Sequence, residues 1–197
     1  MSTSMSRRAR SMVQTGGKTE AEIKVTFSLT NTIYRRSAQL SEQPKMIVTT
    51  TLISPPTMAV ELRGETDSGT ILENGFRMEH FEFFDLTTST MLKHSLFPGT
   101  CDPRESVGQW GVVELHSSKA LVTSQQLEDM SPLADPIPDL KAGHEYRLRL
   151  KPQEIPGYAM SMAELFGEKQ YVDVRDLPET VVVELKSDDE VVLAVED

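Results

Sequence analysis

From His144 to Leu150 the chain alternates without a break. His144, Tyr146, Leu148 and Leu150 fall on one side, and Glu145, Arg147 and Arg149 on the other. Successive strand residues point to opposite faces, so a period of two predicts a strand with one buried face. The same period recurs in Glu22 to Leu29, where Ile23, Val25, Phe27 and Leu29 oppose Lys24, Thr26 and Ser28. A chain patterned this way needs sheets, and sheets need partners for their apolar faces.

Other segments repeat the signal. Met46 to Ile53 is rich in β-branched residues and stops at Pro55-Pro56, and Met58 to Leu62 resumes before the polar turn at Gly64 to Gly69. Ile71-Leu72 reads as a short strand. Asn74-Gly75 is the strongest two-residue hairpin signal in the chain, with a strand from Phe76 to Leu86 after it. There Phe81 and Phe83 share a face, while Phe84 breaks the alternation and suggests a bulge or a strand between two apolar layers. Gly111 to His116 sets Val113 and Leu115 inward, against Val112, Glu114 and His116 outward.

Ser124 to Met130 reads as one or two helical turns. Ser131 to Asp139, with Pro132, Pro136 and Pro138, reads as an irregular connection. Pro156 to Gly167 holds one short helix, with Ser161 as N-cap, Glu164 at the third helical position and Gly167 as terminator. Met160 and Met162, near Phe166, would dock that helix over an open end of the strand layers. Thr180 to Leu185 and Val191 to Val195 flank Lys186 to Glu190 as an expected terminal hairpin.

About eight short strands separated by Pro, Gly and polar turns predict an all-β fold. The expected form is an antiparallel β-sandwich with long loops and one short helix, a barrel being the runner-up. At 197 residues, 38% of them apolar, one such domain over 20–197 is expected, after a disordered tail over 1–19.

The segment Leu140-Lys-Ala-Gly-His-Glu-Tyr-Arg-Leu-Arg-Leu150 resembles the start of the sixth strand of fibronectin type III and related immunoglobulin-like domains. In that family a leucine, a turn glycine and a tyrosine precede an alternating strand; here Leu140, Gly143 and Tyr146 match. The resemblance implies an immunoglobulin-like sandwich in which the Tyr146 hydroxyl reaches back to nearby backbone and clamps a corner. It implies no particular function.

Charge narrows the partners. The net charge is -10, yet Arg7, Arg8, Arg10 and Lys18 meet no acid before residue 20, so the negative charge is concentrated beyond the tail. A diffuse negative field disfavours nucleic acid and anionic membranes. The single Cys101 allows no intrachain disulfide, and no apolar run is long enough to span a bilayer, so a cytoplasmic setting is expected.

Candidate chemistry is sparse. The histidines His80, His94, His116 and His144 are far apart and form no metal-binding motif. His80 with Glu82, and His116 with Glu114, are the two pairs that cross-strand adjacency could unite. Cys101 has only Arg104 nearby to lower its thiol pKa. No metal, cofactor or catalytic residue is therefore assigned.

Two surfaces are more specific. Arg147, Arg149 and Lys151 form a cationic stripe about 14 Å long, which either receives an acidic peptide or is neutralised across strands by Glu61, Glu114 and Glu184. The loop from Leu96 to Trp110 offers Phe97 and Trp110 as aromatic anchors, although a lone Trp is more often core. The expected function is a non-enzymatic interaction protein taking a protein or small ligand. The alternatives are a small hydrolase or lyase using carboxylates and a histidine, and a structural domain that self-associates through an edge strand.

Overall fold

The structure is a computed structural model and describes residues 21–62, 71–74, 80–92, 105–127 and 140–197. The first strands are β1 (Glu22–Leu29), β2 (Ile33–Arg35), β3 (Lys45–Ser54), β4 (Thr57–Glu61), β5 (Phe81–Asp85), β6 (Thr90–Met91) and β7 (Ser106–Gly108). After them come β8 (Val112–His116), β9 (Leu121–Gln126), β10 (Glu145–Leu150), β11 (Gln153–Tyr158), β12 (Tyr171–Asp173), β13 (Val181–Leu185) and β14 (Glu190–Glu196). Two short helices, α1 (Ile71–Asn74) and α2 (Met162–Phe166), complete the described elements with single 3-10 turns. The fold class is all-β. No helix among the described residues is long and apolar enough to cross a membrane.

The strands form four sheets: β1-β3-β9, β2-β14-β10-β5-β6, β13-β11-β4-β8, and the small ladder β12-β7. Every named pairing is antiparallel except β14 with β2, which is parallel. The three larger sheets share one core. It takes Val25 and Phe27 from β1, Met46 and Val48 from β3, Met58 and Val60 from β4, and Phe81 and Phe83 from β5. Tyr146 and Leu148 of β10, Val183 and Leu185 of β13, and Leu193 and Val195 of β14 complete it. The chain passes from the first sheet to the third at Pro55-Pro56, where β3 ends and β4 begins.

A second, smaller core lies on the outer face of the β13-β11-β4-β8 sheet, where Ala59, Val112 and Tyr158 meet Leu165 and Phe166 of α2 and Val107 and Val172 of the ladder. Strand β4 is therefore buried on both sides. Its Met58 and Val60 enter the main core, and its Ala59 enters the second.

Several local expectations are met. The alternation of β1 and β10 appears as burial of Val25, Phe27, Tyr146, Leu148 and Leu150. Helix α2 has Ser161 as N-cap, a complete capping box with Glu164, and Gly167 at its C-cap with φ +57°. Rather than closing an open end, α2 lies on a sheet face, with Met160 and Met162 packed against the second core.

Others are corrected. Ile71-Leu72 is a turn of helix, not a strand; both residues are buried, which consecutive strand positions on a one-sided sheet do not achieve. Asn74 ends that helix, and the rest of the expected hairpin turn and the strand start lies outside the described residues. The helical reading of Ser124 to Met130 gives way to strand β9 as far as Gln126, because pairing with β3 over Lys45–Thr50 overrides weak local preference, while 128–130 lie outside the described residues. Phe84 marks no bulge: β5 keeps its register against β10, and Phe84 simply takes the outer face. Val112 is buried, because α2 and the ladder cover the face expected to meet water.

The terminal hairpin does not form. Strand β13 pairs with β11, whereas β14 pairs with β10 and β2, so Lys186 to Asp189 crosses between sheets. On that crossing the Asp189 carboxylate accepts the Phe27 N–H at 3.0 Å and covers the edge of β1.

Candidate functional site

The cationic stripe lies on the outer face of the five-stranded sheet. Arg147 stands between Val192 of β14 and Phe84 of β5, and Arg149 between Glu190 and Glu82. Glu190 pairs with Arg149 and, at 3.7 Å, with Arg147. The Arg147 guanidinium also lies 5.0 Å from the Phe84 ring centroid, a cation–π arrangement. The expected acidic partners are engaged elsewhere: Glu61 with Tyr158, Glu114 with His116, and Glu184 with Lys186. They belong to a different sheet from β10, and it is Glu190 of the neighbouring β14 that meets Arg147 and Arg149. Lys151 is tied through its N–H to the His80 carbonyl at 2.8 Å.

Trp110 is not a core residue. It lies in the 3-10 turn Gln109–Gly111 and is 66% exposed. Beside it stands Tyr171, the first residue of β12 and directly opposite Gly108 of β7, 53% exposed. A β-carbon on Gly108 would lie 2.6 Å from Trp110 Nε1 and 3.0 Å from Tyr171 Cε1, so both rings rest on the space this glycine leaves open.

The base of this aromatic shelf is firmly built. Val107 and Val172 are buried beneath it in the second core. The Gln109 N–H donates to the Gln170 carbonyl at 3.0 Å, and its side chain donates to the Lys169 carbonyl at 2.9 Å. Asp173, on the same side of β12 as Tyr171, is held well below the usual carboxylate range by the Arg175 side chain and backbone N–H. The rim is thus polar and charged while the centre is aromatic. Phe97, the other expected anchor, lies outside the described residues, as do Cys101, Arg104 and His94.

The two histidine pairs do not unite. His80 is buried just before β5, and His116 belongs to β8 of another sheet. His116 instead joins its cross-strand neighbour Thr57, with Nδ1 3.3 Å from Oγ1, and Nε2 lies 2.8 Å from Glu114 Oε1. The second oxygen of Glu114 accepts the N–H of Met162, the first residue of α2. A hydroxyl–imidazole–carboxylate chain results, and it also fastens α2 to β8. His144 contacts Asp85 at 2.8 Å and stacks on Tyr146. No group of three or more His, Cys, Asp or Glu suited to a metal ion occurs among the described residues.

The chain matches no protein-family model, no curated protein and no solved structure. Sequence reading missed Tyr171, because a lone tyrosine in a three-residue strand has too short a pattern to show. The adjacent Val172, flanked by Tyr171 and Asp173, was the available signal for an outward-facing Tyr.

Proposed function

We propose that this chain is a non-enzymatic interaction protein of immunoglobulin-like sandwich architecture that takes a protein or small ligand on the Trp110–Tyr171 shelf. One observation carries the reading: two large aromatic side chains stand in water side by side on a base fixed by backbone hydrogen bonds and a buried valine pair. Burying a large apolar side chain is worth about 1.5–3 kcal/mol, and Trp and Tyr dominate binding hot spots because they lose little conformational freedom. The architecture draws support from Tyr146, whose hydroxyl accepts the Lys141 N–H at 2.9 Å, as a tyrosine corner would. A cytoplasmic setting belongs to the proposal and rests on the single cysteine. The cationic stripe is the weaker surface, since Glu190 already compensates Arg147 and Arg149.

The test is affinity capture with the wild-type chain, W110A, Y171A and R147E/R149E. Partner recovery falls for the two aromatic variants and persists for the charge reversal. Equal recovery by all four chains removes the shelf from the account.

A second reading, a histidine- and carboxylate-dependent hydrolase, draws on Thr57–His116–Glu114 alone. Hydrolysis of a simple activated ester should then disappear in both T57V and H116A. Loss in only one variant, or in neither, leaves the chain of hydrogen bonds as the fastening of α2.

A further inference from the structure

The outer face of the β2-β14-β10-β5-β6 sheet is organised, by its register, as three rows across the strands. Glu190, Arg149 and Glu82 make the first row, and Val192, Arg147, Phe84 and Met91 the second. The third holds Ala194, Glu145 and Leu86, the Leu86 N–H donating to the Glu145 carbonyl at 2.8 Å. On β14, β10 and β5 these residues alternate with the buried Leu193, Leu148, Tyr146, Phe83 and Asp85, so their side chains stand on the outward side.

The solvated face of an antiparallel sheet is ordinarily polar. Here the middle row is largely apolar. Val192 is 41% exposed and Met91 51%, Leu86 is exposed beside them, and Phe84 is half-buried between. Charge flanks that row with opposite sign on either side, since Glu145 and Arg149 each lie two residues from Arg147 along β10. Arg149 keeps half of its side chain in water even with Glu190 beside it. The exposed Glu145 side chain makes no hydrogen bond or ion pair with any described residue.

We infer that two copies of this chain associate through this face, with strands antiparallel about a two-fold axis that crosses β10 at Arg147. Such a contact must be self-complementary. The axis lays the middle row of one copy on that of the other and takes Val192, Phe84 and Met91 out of water. It also brings Glu145 of each copy over Arg149 of the other, giving two ion pairs that flank the apolar row. Sheets packed face to face stand about 10 Å apart, within the combined reach of these two long side chains. Arg147 meets its symmetry mate with its charge already shared between Glu190 and the Phe84 ring. An axis running along β10 would instead set Glu190 against Glu82 and Arg149 against itself, and like charge disfavours it. The face measures only about 14 Å between its outer rows, so the dimer should be weak, with a micromolar Kd.

Sedimentation of the full chain over a concentration series reaching about 0.5 mM tests the association. A monomer–dimer equilibrium is expected. V192K sets like charges on each other in the apolar row, and E145R and R149E each do so across the axis. Every one of the three should raise the dimer Kd by about tenfold or more, with the far-UV spectrum unchanged. Mixed in equal amounts, E145R and R149E should restore the wild-type Kd, because each supplies the charge that the other lacks. V192K, at an exposed position, keeps the test decisive should a charge reversal disturb the fold. W110A should leave the equilibrium as it was, which separates this interface from the aromatic shelf. A wild-type chain that stays monomeric, a dimer indifferent to V192K, or two folded charge variants that fail to rescue each other overturns the inference.

Discussion

At the scale of single residues, Tyr146 joins the pattern of the sequence to the packing of the fold. Its ring is buried in the main core, and its hydroxyl accepts the Lys141 N–H across the turn that contains Gly143, where φ is +78°. Y146F keeps the ring and removes that acceptor, so denaturant unfolding should show a loss of about 1 kcal/mol. Asp85 sits opposite Tyr146 on β5 and is buried. Burial opposes its ionisation, but hydrogen bonds from the His144 side chain, from Thr88 and from the Thr87 N–H outweigh it and lower the carboxyl pKa to about 2. A folded-state pKa below the unfolded value stabilises the fold above the ordinary carboxylate range, and that stabilisation is lost as pH falls toward 2. Between pH 4 and 2 the wild type should therefore lose stability more steeply than D85N, as followed by thermal unfolding at each pH. The reach of the Tyr146 hydroxyl back to nearby backbone was legible because Lys141, Gly143 and Tyr146 are close in sequence; the role of Asp85 was not, since its partner His144 lies 59 residues away.

At the scale of elements, what could be read depended on how local the determinants were. Helix α2 was legible because Ser161, Glu164 and Gly167 cap it with side chains from the helix itself and its flanks. S161A should cost about 1 kcal/mol and loosen α2 from the Glu114 latch, which hydrogen exchange at Met162 and Glu164 would register. Strand β11 was illegible, since Pro156 and Gly157 look like breakers. Gly157 is there because β11 runs tightly beside the core, where a β-carbon would lie 2.7 Å from Met58 Cε and 2.8 Å from Val183 Cγ2. G157A should overpack the core and destabilise the fold by about 1–3 kcal/mol, measured by denaturant unfolding. At Gly108 the added methyl would instead press on two exposed rings, which can move. G108A should thus disturb the aromatic shelf while leaving the unfolding midpoint nearly unchanged.

At the scale of the whole molecule, all-β character followed from short alternating segments, but sheet membership did not. The hairpin expected from Val181–Leu185 and Glu190–Glu196 has the right strands and the wrong pairing, because adjacency along the chain cannot say which sheet completes a core. Burial on both sides of β4 likewise depends on α2 and the β12-β7 ladder, which the sequence of β4 does not contain. The same layer sets the candidate site. By covering one sheet face it holds Tyr171 beside Trp110, and it leaves both in solvent. Since Trp110 is the only tryptophan, its emission reports on the shelf without any label. The direct measurement is Trp110 fluorescence and acrylamide quenching as a captured partner is titrated in. The account predicts red-shifted, readily quenched emission from the free chain, with a blue shift and protection on binding. Partner binding that leaves both the emission and the quenching of Trp110 unchanged would contradict it.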